Sequence, residues 1–379
     1  MEAPAARTWH REYIHRVDYD TRVPSIQLTS APMIHQTLLP ADAMFTPDSR
    51  RVVYSRRQAP DMPRELWLAD LLSYDLRRLT DEPDVRAPAV APDGTCLYYI
   101  SETDEVRLRR LDLQTFERET VMATDLICEV SEGGSMRHDS GAYVVGGRSG
   151  PQTWALVRFD LARREAEIIH ESDALYDPRP QYSPGMCGDI LFQENHGRLL
   201  DDGSYPVLIP TGYGTDLHVI CDDGSSLRDV NLGRSDVEMV RGHHCWAGDS
   251  GRVLTSLLRR DTPDRAFAAD QLVAAMPGGQ SRDVVGRGPA FAQAAVTLDG
   301  QWWVAEESNT ADLFVGSVNT RRQTLLLHTG ASYGSPDYTQ PRPMFTPGGR
   351  SVVYGSDATG IPQLYVTQIA DEVLFKLMR

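Results

Sequence analysis

The sequence predicts an all-β chain, a seven-bladed β-propeller of four-stranded blades, and three observations predict it. A segment recurs: Thr339-Gln-Pro-Arg-Pro-Met-Phe-Thr-Pro-Gly-Gly returns, altered, as Asp177-Pro-Arg-Pro-Gln-Tyr-Ser-Pro-Gly, with looser copies at residues 42–48, 85–94, 241–249 and 290–300. Turn signals divide the chain into seven units that begin near residues 33, 83, 128, 176, 240, 290 and 338, a spacing of roughly 40–60 residues. No long segment carries helical periodicity.

Each unit repeats one grammar. Met44-Phe-Thr-Pro-Asp-Ser-Arg-Arg-Val-Val-Tyr-Ser reads as strand, Pro-Asp turn and strand, with β-branched and aromatic residues after the turn. Val90-Ala-Pro-Asp-Gly-Thr-Cys-Leu-Tyr-Tyr-Ile, Val296-Thr-Leu-Asp-Gly-Gln-Trp-Trp-Val-Ala and Phe345-Thr-Pro-Gly-Gly-Arg-Ser-Val-Val-Tyr repeat it as inner strand pairs. Outer pairs turn at Asp70-Leu-Leu-Ser-Tyr-Asp-Leu, Leu111-Asp-Leu-Gln-Thr-Phe-Glu and Phe159-Asp-Leu-Ala-Arg-Arg-Glu. The last unit supplies three good strands through Gln363-Leu-Tyr-Val-Thr-Gln-Ile. The N-terminal Ser25-Ile-Gln-Leu-Thr is expected to complete that blade and close the ring, removing its open edges. The fourth unit is the longest, and residues 195–213, rich in Gly and Pro, read as an insertion over one face.

Composition narrows the function. A chain of 379 residues exceeds most single domains unless a repeat fold closes on itself, so one domain over 1–379 is expected. The formal charge of −15 argues against binding nucleic-acid phosphates. No apolar run reaches the ~18 residues of a membrane span, and no membrane partner is expected. Met-Glu-Ala-Pro-Ala-Ala-Arg carries no apolar signal core, so cytoplasmic retention is the expectation. Cys96, Cys128, Cys187, Cys221 and Cys245 are scattered and odd in number, giving neither a disulfide framework nor a metal knuckle. Oligomeric state stays open.

In a propeller the first strand of each blade lines the central channel. Aligning the copies on Phe45, Val90, Tyr182, Trp246, Val296 and Phe345 places Asp42, Ala87, Arg179, His243, Gln293 and Arg342 three residues earlier, with Gln340 two further back in the last blade. The third blade aligns poorly around Met136, and its channel residue stays open. Two arginines at one mouth of an acidic chain suit a carboxylate or phosphate. His243 could accept a proton there near neutral pH. The alternative is that Arg179 and Arg342 merely pair with Asp42 and Asp177 to fill the channel. His35, before the first inner strand, and His244, beside His243, are weaker candidates; His196 and His218 are weaker still. No G-x-S-x-G, H-E-x-x-H or P-loop motif is present.

Over nearly its whole length the chain resembles the oligogalacturonate lyases, propellers that cleave short pectin-derived uronides by β-elimination. Ser25-Ile-Gln-Leu-Thr, Ile34-His-Gln-Thr-Leu-Leu, Gly242-His-His-Cys-Trp, Gln293-Ala-Ala-Val-Thr-Leu-Asp-Gly and Ser356-Asp-Ala-Thr-Gly-Ile-Pro-Gln-Leu-Tyr carry the resemblance. It implies that a divalent metal, usually manganese, binds the sugar carboxylate and acidifies the adjacent C–H, while a histidine takes the proton. The base falls on His243, which is preserved. The three metal-binding histidines fall on Gln293, Gln340 and Arg342, the metal-binding glutamine on Asp337, and the catalytic arginine at or near Asp216. Arginine cannot ligate a divalent ion. The expectation is therefore no tightly bound metal and no cofactor. Two readings follow: a catalyst in which Arg342, with Arg179, replaces the metal as carboxylate clamp for a small anionic substrate such as a uronide, by elimination, isomerisation, epimerisation or cyclisation; or an inactive propeller that binds a sugar acid or a partner.

Overall fold

The computed structural model describes residues 9–102, 105–185, 188–195, 215–233, 238–240, 243–259, 268–334 and 339–379. Most of the 195–213 insertion, with His196, Cys187 and Asp337, lies outside them. Seven antiparallel sheets follow one another along the chain as the blades of a propeller. Their innermost strands begin at Ile34, Val85, Glu129, Gln181, Glu238, Phe291 and Met344, within a few residues of the expected starts.

The repeated grammar has a visible cause. In the outer turns, Asp70, Asp112 and Asp160 each accept the N–H groups two and three residues ahead through Oδ1. Asp48, Asp93, Asp139 and Asp299 accept the N–H two residues ahead in the inner turns, and Asp223 does so in the outer turn of the fourth blade. An aspartate that mimics a backbone turn starts these hairpins without help from distant residues. Between turns, alternate strand residues such as Val53, Leu68, Tyr143, Val157, Val219 and Val304 are fully buried, and the apolar cores lie largely between neighbouring blades.

Pro24–Gln27 pairs antiparallel with Gln363–Gln368, setting Ser25 opposite Thr367 and Ile26 opposite Val366, so the N-terminal strand completes the seventh blade. Ile14–Val17 then adds a fifth strand to that blade, and His10–Arg11 adds one to the first. Glu12, between them, accepts the N–H groups of Ser30 and Ala31 and pairs with Arg56. One segment thus ties the seventh blade to the first. The C-terminal helix Asp371–Met378, too short for a periodicity signal to stand out, buries Leu374 and Leu377 in the cluster shared by blades six and seven. No helix among the described residues is long and apolar enough to cross a membrane.

Candidate functional site

The channel mouth is built from one backbone device used repeatedly. Ala87, Gly133, Arg179, His243 and Arg342 occupy matching places in five blades, three residues before Val90, Met136, Tyr182, Trp246 and Phe345, and all have positive φ, between 41° and 90°. Gly133 is the third-blade residue that the sequence left open. Where pairing continues on both sides, the ladder slips at this point, between Arg86 and Ala89 and between Val130 and Gly134. A bulge of this kind re-aims one side chain out of the strand's alternation. Arg179 and Arg342 each stand between two prolines, and Pro178 and Pro341 lend their carbonyls to the N–H of Gln193 and Gly355 at 2.9 and 2.7 Å. The following prolines have no N–H to leave unpaired in the bulge.

The arginines differ in how they are held. Arg179 donates from Nε to Asp177 at 2.8 Å and from Nη1 toward His243 Nδ1 at 3.3 Å. Arg342 donates its backbone N–H to the fully buried Glu306 at 2.7 Å, and its Nε reaches Gln340 Oε1 at 3.3 Å. The Arg342 guanidinium has no ion-pair partner within 4 Å among the described residues. Burial lowers its pKa, and Arg179 nearby lowers it further, while Glu306 and Glu132 act in the opposite sense. Burial alone would raise the Glu132 carboxyl, but Arg64, which donates to it at 2.7 Å, together with Arg86 and Arg342 outweighs burial and holds it below its ordinary value. Channel filling by ion pairs therefore accounts for Arg179, through Asp177, and not for Arg342.

Beneath the mouth lies a cavity of about 380 Å³. Arg179, His243, Gln293, His244 and Asp42 line it, and so do the seven equivalent residues Phe45, Val90, Met136, Tyr182, Trp246, Val296 and Phe345. Pro47, Pro92, Pro184 and Pro347, from the inner turns, line it further along the chain's repeat. Every blade thus contributes to this one space.

The remaining candidates separate. Asp42 lines the cavity, but not through the shared strand device: residues 37–44 loop out of the first blade's inner strand, through the cis Leu39–Pro40 bond, into a 3-10 turn, Ala41–Met44. Its side chain is exposed to the cavity, and the loss of solvent around its carboxyl there raises its pKa. His244 donates from Nε2 to the Arg179 carbonyl at 3.3 Å, and burial pushes its pKa down to about 3, so it is a neutral brace for the kink. His35 does not line the cavity. It is buried in the first blade against Tyr54, its Nδ1 near the Pro362 carbonyl, and burial and Arg56 take its pKa to about 4. Gln293 also sits at a slip in its strand, and its Nε2 donates to Gln340 Oε1 at 2.9 Å. Asp216, on the strand Thr215–Cys221, stands opposite Glu194 and puts a carboxylate where the resemblance seeks an arginine.

This donor set does not fit a divalent cation. The Gln340 oxygen already receives both the Gln293 amide and the Arg342 Nε, and a fixed guanidinium stands at a ligand position. Among the described residues, no group of three or more His, Cys, Asp or Glu side chains is placed to hold a metal.

Two kinds of likeness to known proteins accord with the fold. The sequence is 24% identical over 356 residues to an oligogalacturonide lyase of Pectobacterium atrosepticum, covering 83% of this chain and 85% of that protein. A solved oligogalacturonate lyase in complex with manganese superposes with a TM-score of 0.79 at 21% identity, over 98% of this chain and all of that one. A second oligogalacturonate lyase, from Vibrio parahaemolyticus, superposes with a TM-score of 0.78 at 18% identity, over 97% of this chain and all of that one. No family model matches the sequence. The chain is a divergent homologue of the oligogalacturonide lyases, built on their propeller fold.

Proposed function

We propose that the protein is a lyase-like enzyme that binds a carboxylate through Arg342 and Arg179, without a metal, and uses His243 to take a proton from the carbon next to that carboxylate. The observation that carries this reading is the contact of Arg179 Nη1 with His243 Nδ1 beside the guanidinium of Arg342. In this geometry Nδ1 is the acceptor, so the neutral ring carries its proton on Nε2. A carboxylate that draws Arg179 into a charge-assisted pair frees the Nδ1 lone pair at the moment substrate arrives.

For a uronide the steps balance simply. His243 takes the C–H proton, that electron pair forms the C=C bond, and the C–O bond to the neighbouring sugar breaks. The leaving oxygen receives a proton from the imidazolium or from water. The arginines stabilise charge that builds on the carboxylate as the proton leaves, the task a metal performs in other designs.

The test is to incubate the protein with oligogalacturonate and follow the ultraviolet absorbance of the unsaturated product, with chelator and with manganese. Activity that survives chelation and disappears in His243→Ala is expected. Activity that appears only with manganese contradicts the metal-free clamp. The engaged Nδ1 also favours a second reading, a propeller that binds a sugar acid without turning it over; binding without product for any uronide selects it.

A further inference from the structure

Resting on the carboxylate-clamp reading, we infer that the site takes a carboxylate carrying one apolar, ring-sized substituent, and that this substituent goes down the channel that Arg179 and His243 line. The cavity's volume, about 380 Å³, falls at the small end of the ~300–1,000 Å³ typical of small-molecule pockets. One level of its wall comes from all seven blades, and Phe45, Val90, Met136, Val296 and Phe345 offer only carbon or thioether surface there.

The two residues at that level with polar atoms turn them elsewhere. Trp246 Nε1 donates to the Gln181 carbonyl at 3.0 Å, and the Tyr182 hydroxyl points toward Asp222 at 3.5 Å. A second uronate ring placed against the five carbon or thioether side chains would find no hydrogen-bond partner on them for its hydroxyls or its charge, at a cost of several kcal/mol. An aromatic or aliphatic group would lose only its hydration, which is favourable. The polar side chains of the wall, among them Arg179, His243, Gln293, Asp42 and Gln181, belong to other levels, Arg342 stands outside the wall, and apolar recognition is concentrated at the seven-blade level. That division selects an amphipathic acid, with its head at the mouth and its body in the channel.

Calorimetry with 3-phenylpropionate, its neutral amide and digalacturonate tests this, on the wild type and on Val296→Phe. Phenylalanine already fills the matching position in the first and seventh blades, at Phe45 and Phe345, so the blade accepts it; Val90→Phe repeats the test from the opposite wall. The expected result is that 3-phenylpropionate binds more tightly than digalacturonate, and that each channel-filling variant weakens it by about tenfold or more while sparing digalacturonate. Digalacturonate binding without 3-phenylpropionate binding, or 3-phenylpropionate affinity unchanged in both variants, overturns the channel inference and leaves the clamp standing. The amide binding as tightly as the acid, with sensitivity to the variants, overturns the clamp and leaves the channel. Binding of none of the three overturns both.

Discussion

Blades two and three and blades four, five and seven use the same left-handed backbone step for different ends. At that step blades two and three carry Ala87 and Gly133, which project no polar group; blades four, five and seven carry Arg179, His243 and Arg342. A non-glycine residue in this region costs about 1–2 kcal/mol. Ala87 bears that strain with a buried methyl in the core, so strain by itself does not mark function here. The step belongs to the propeller. What marks the site is that three of the strained positions hold polar side chains, that Arg179 meets His243, and that Arg342 lies within reach of the Arg179 charge.

The comparison breaks most visibly at His243. His243→Ala should lower turnover by on the order of 10²–10⁴, the usual share of a general base, with the melting curve little changed. A loss of folding alongside activity would make the residue a brace like its neighbour His244. Arg342 should behave in the opposite way from an ordinary core residue. Arg342→Met keeps the backbone bond to Glu306 and removes a guanidinium with no ion-pair partner among the described residues, so unfolding free energy should rise by about 1 kcal/mol while carboxylate binding falls. Destabilisation would mean that the guanidinium supports the fold.

The neighbouring histidines sharpen the contrast through pH. His35 and His244 have folded pKa values of about 4 and about 3, below the ordinary value of about 6.5. Both are held neutral by burial, so the unfolded chain takes up more protons in acid. Their stabilisation is complete above pH ~6.5 and is lost as pH falls from ~6.5 toward ~4 and below. Melting temperatures across that window should fall in the wild type and fall less in His244→Gln. An equal fall would show that other groups carry the dependence. The smallest effect is expected at Gly133, where an added Cβ meets nothing closer than the Leu39 carbonyl at 3.4 Å. Gly133→Ala should cost about 1 kcal/mol from its positive φ alone, measured by denaturant unfolding, and leave binding intact.

Much of this was legible in the sequence because the signals were local. An aspartate that caps its own turn repeats in the text as it repeats in space, and counting three residues back from Tyr182, Trp246 and Phe345 reached the mouth side chains directly. The third blade escaped because its step residue is a glycine with nothing to show. In the first blade the same counting reached Asp42 by a different road, since residues 37–44 leave the strand and no local pattern announces a cis bond or a 3-10 turn. Relations between distant residues were invisible: His244 bracing the Arg179 carbonyl, Arg179 occupying His243 Nδ1, and Arg342 without an ion pair among the described residues depend on blades placed by closure of the ring.

The central claim is that guanidinium groups, not a metal, hold the substrate carboxylate. The most direct measurement is the affinity of digalacturonate for the wild type and for Arg342→Met, each in the presence of chelator and of manganese. The account predicts that chelator leaves wild-type affinity unchanged and that Arg342→Met weakens binding by about 10- to 100-fold, the loss expected for a charge-assisted contact. Binding that requires manganese, or that is indifferent to Arg342→Met, would contradict it.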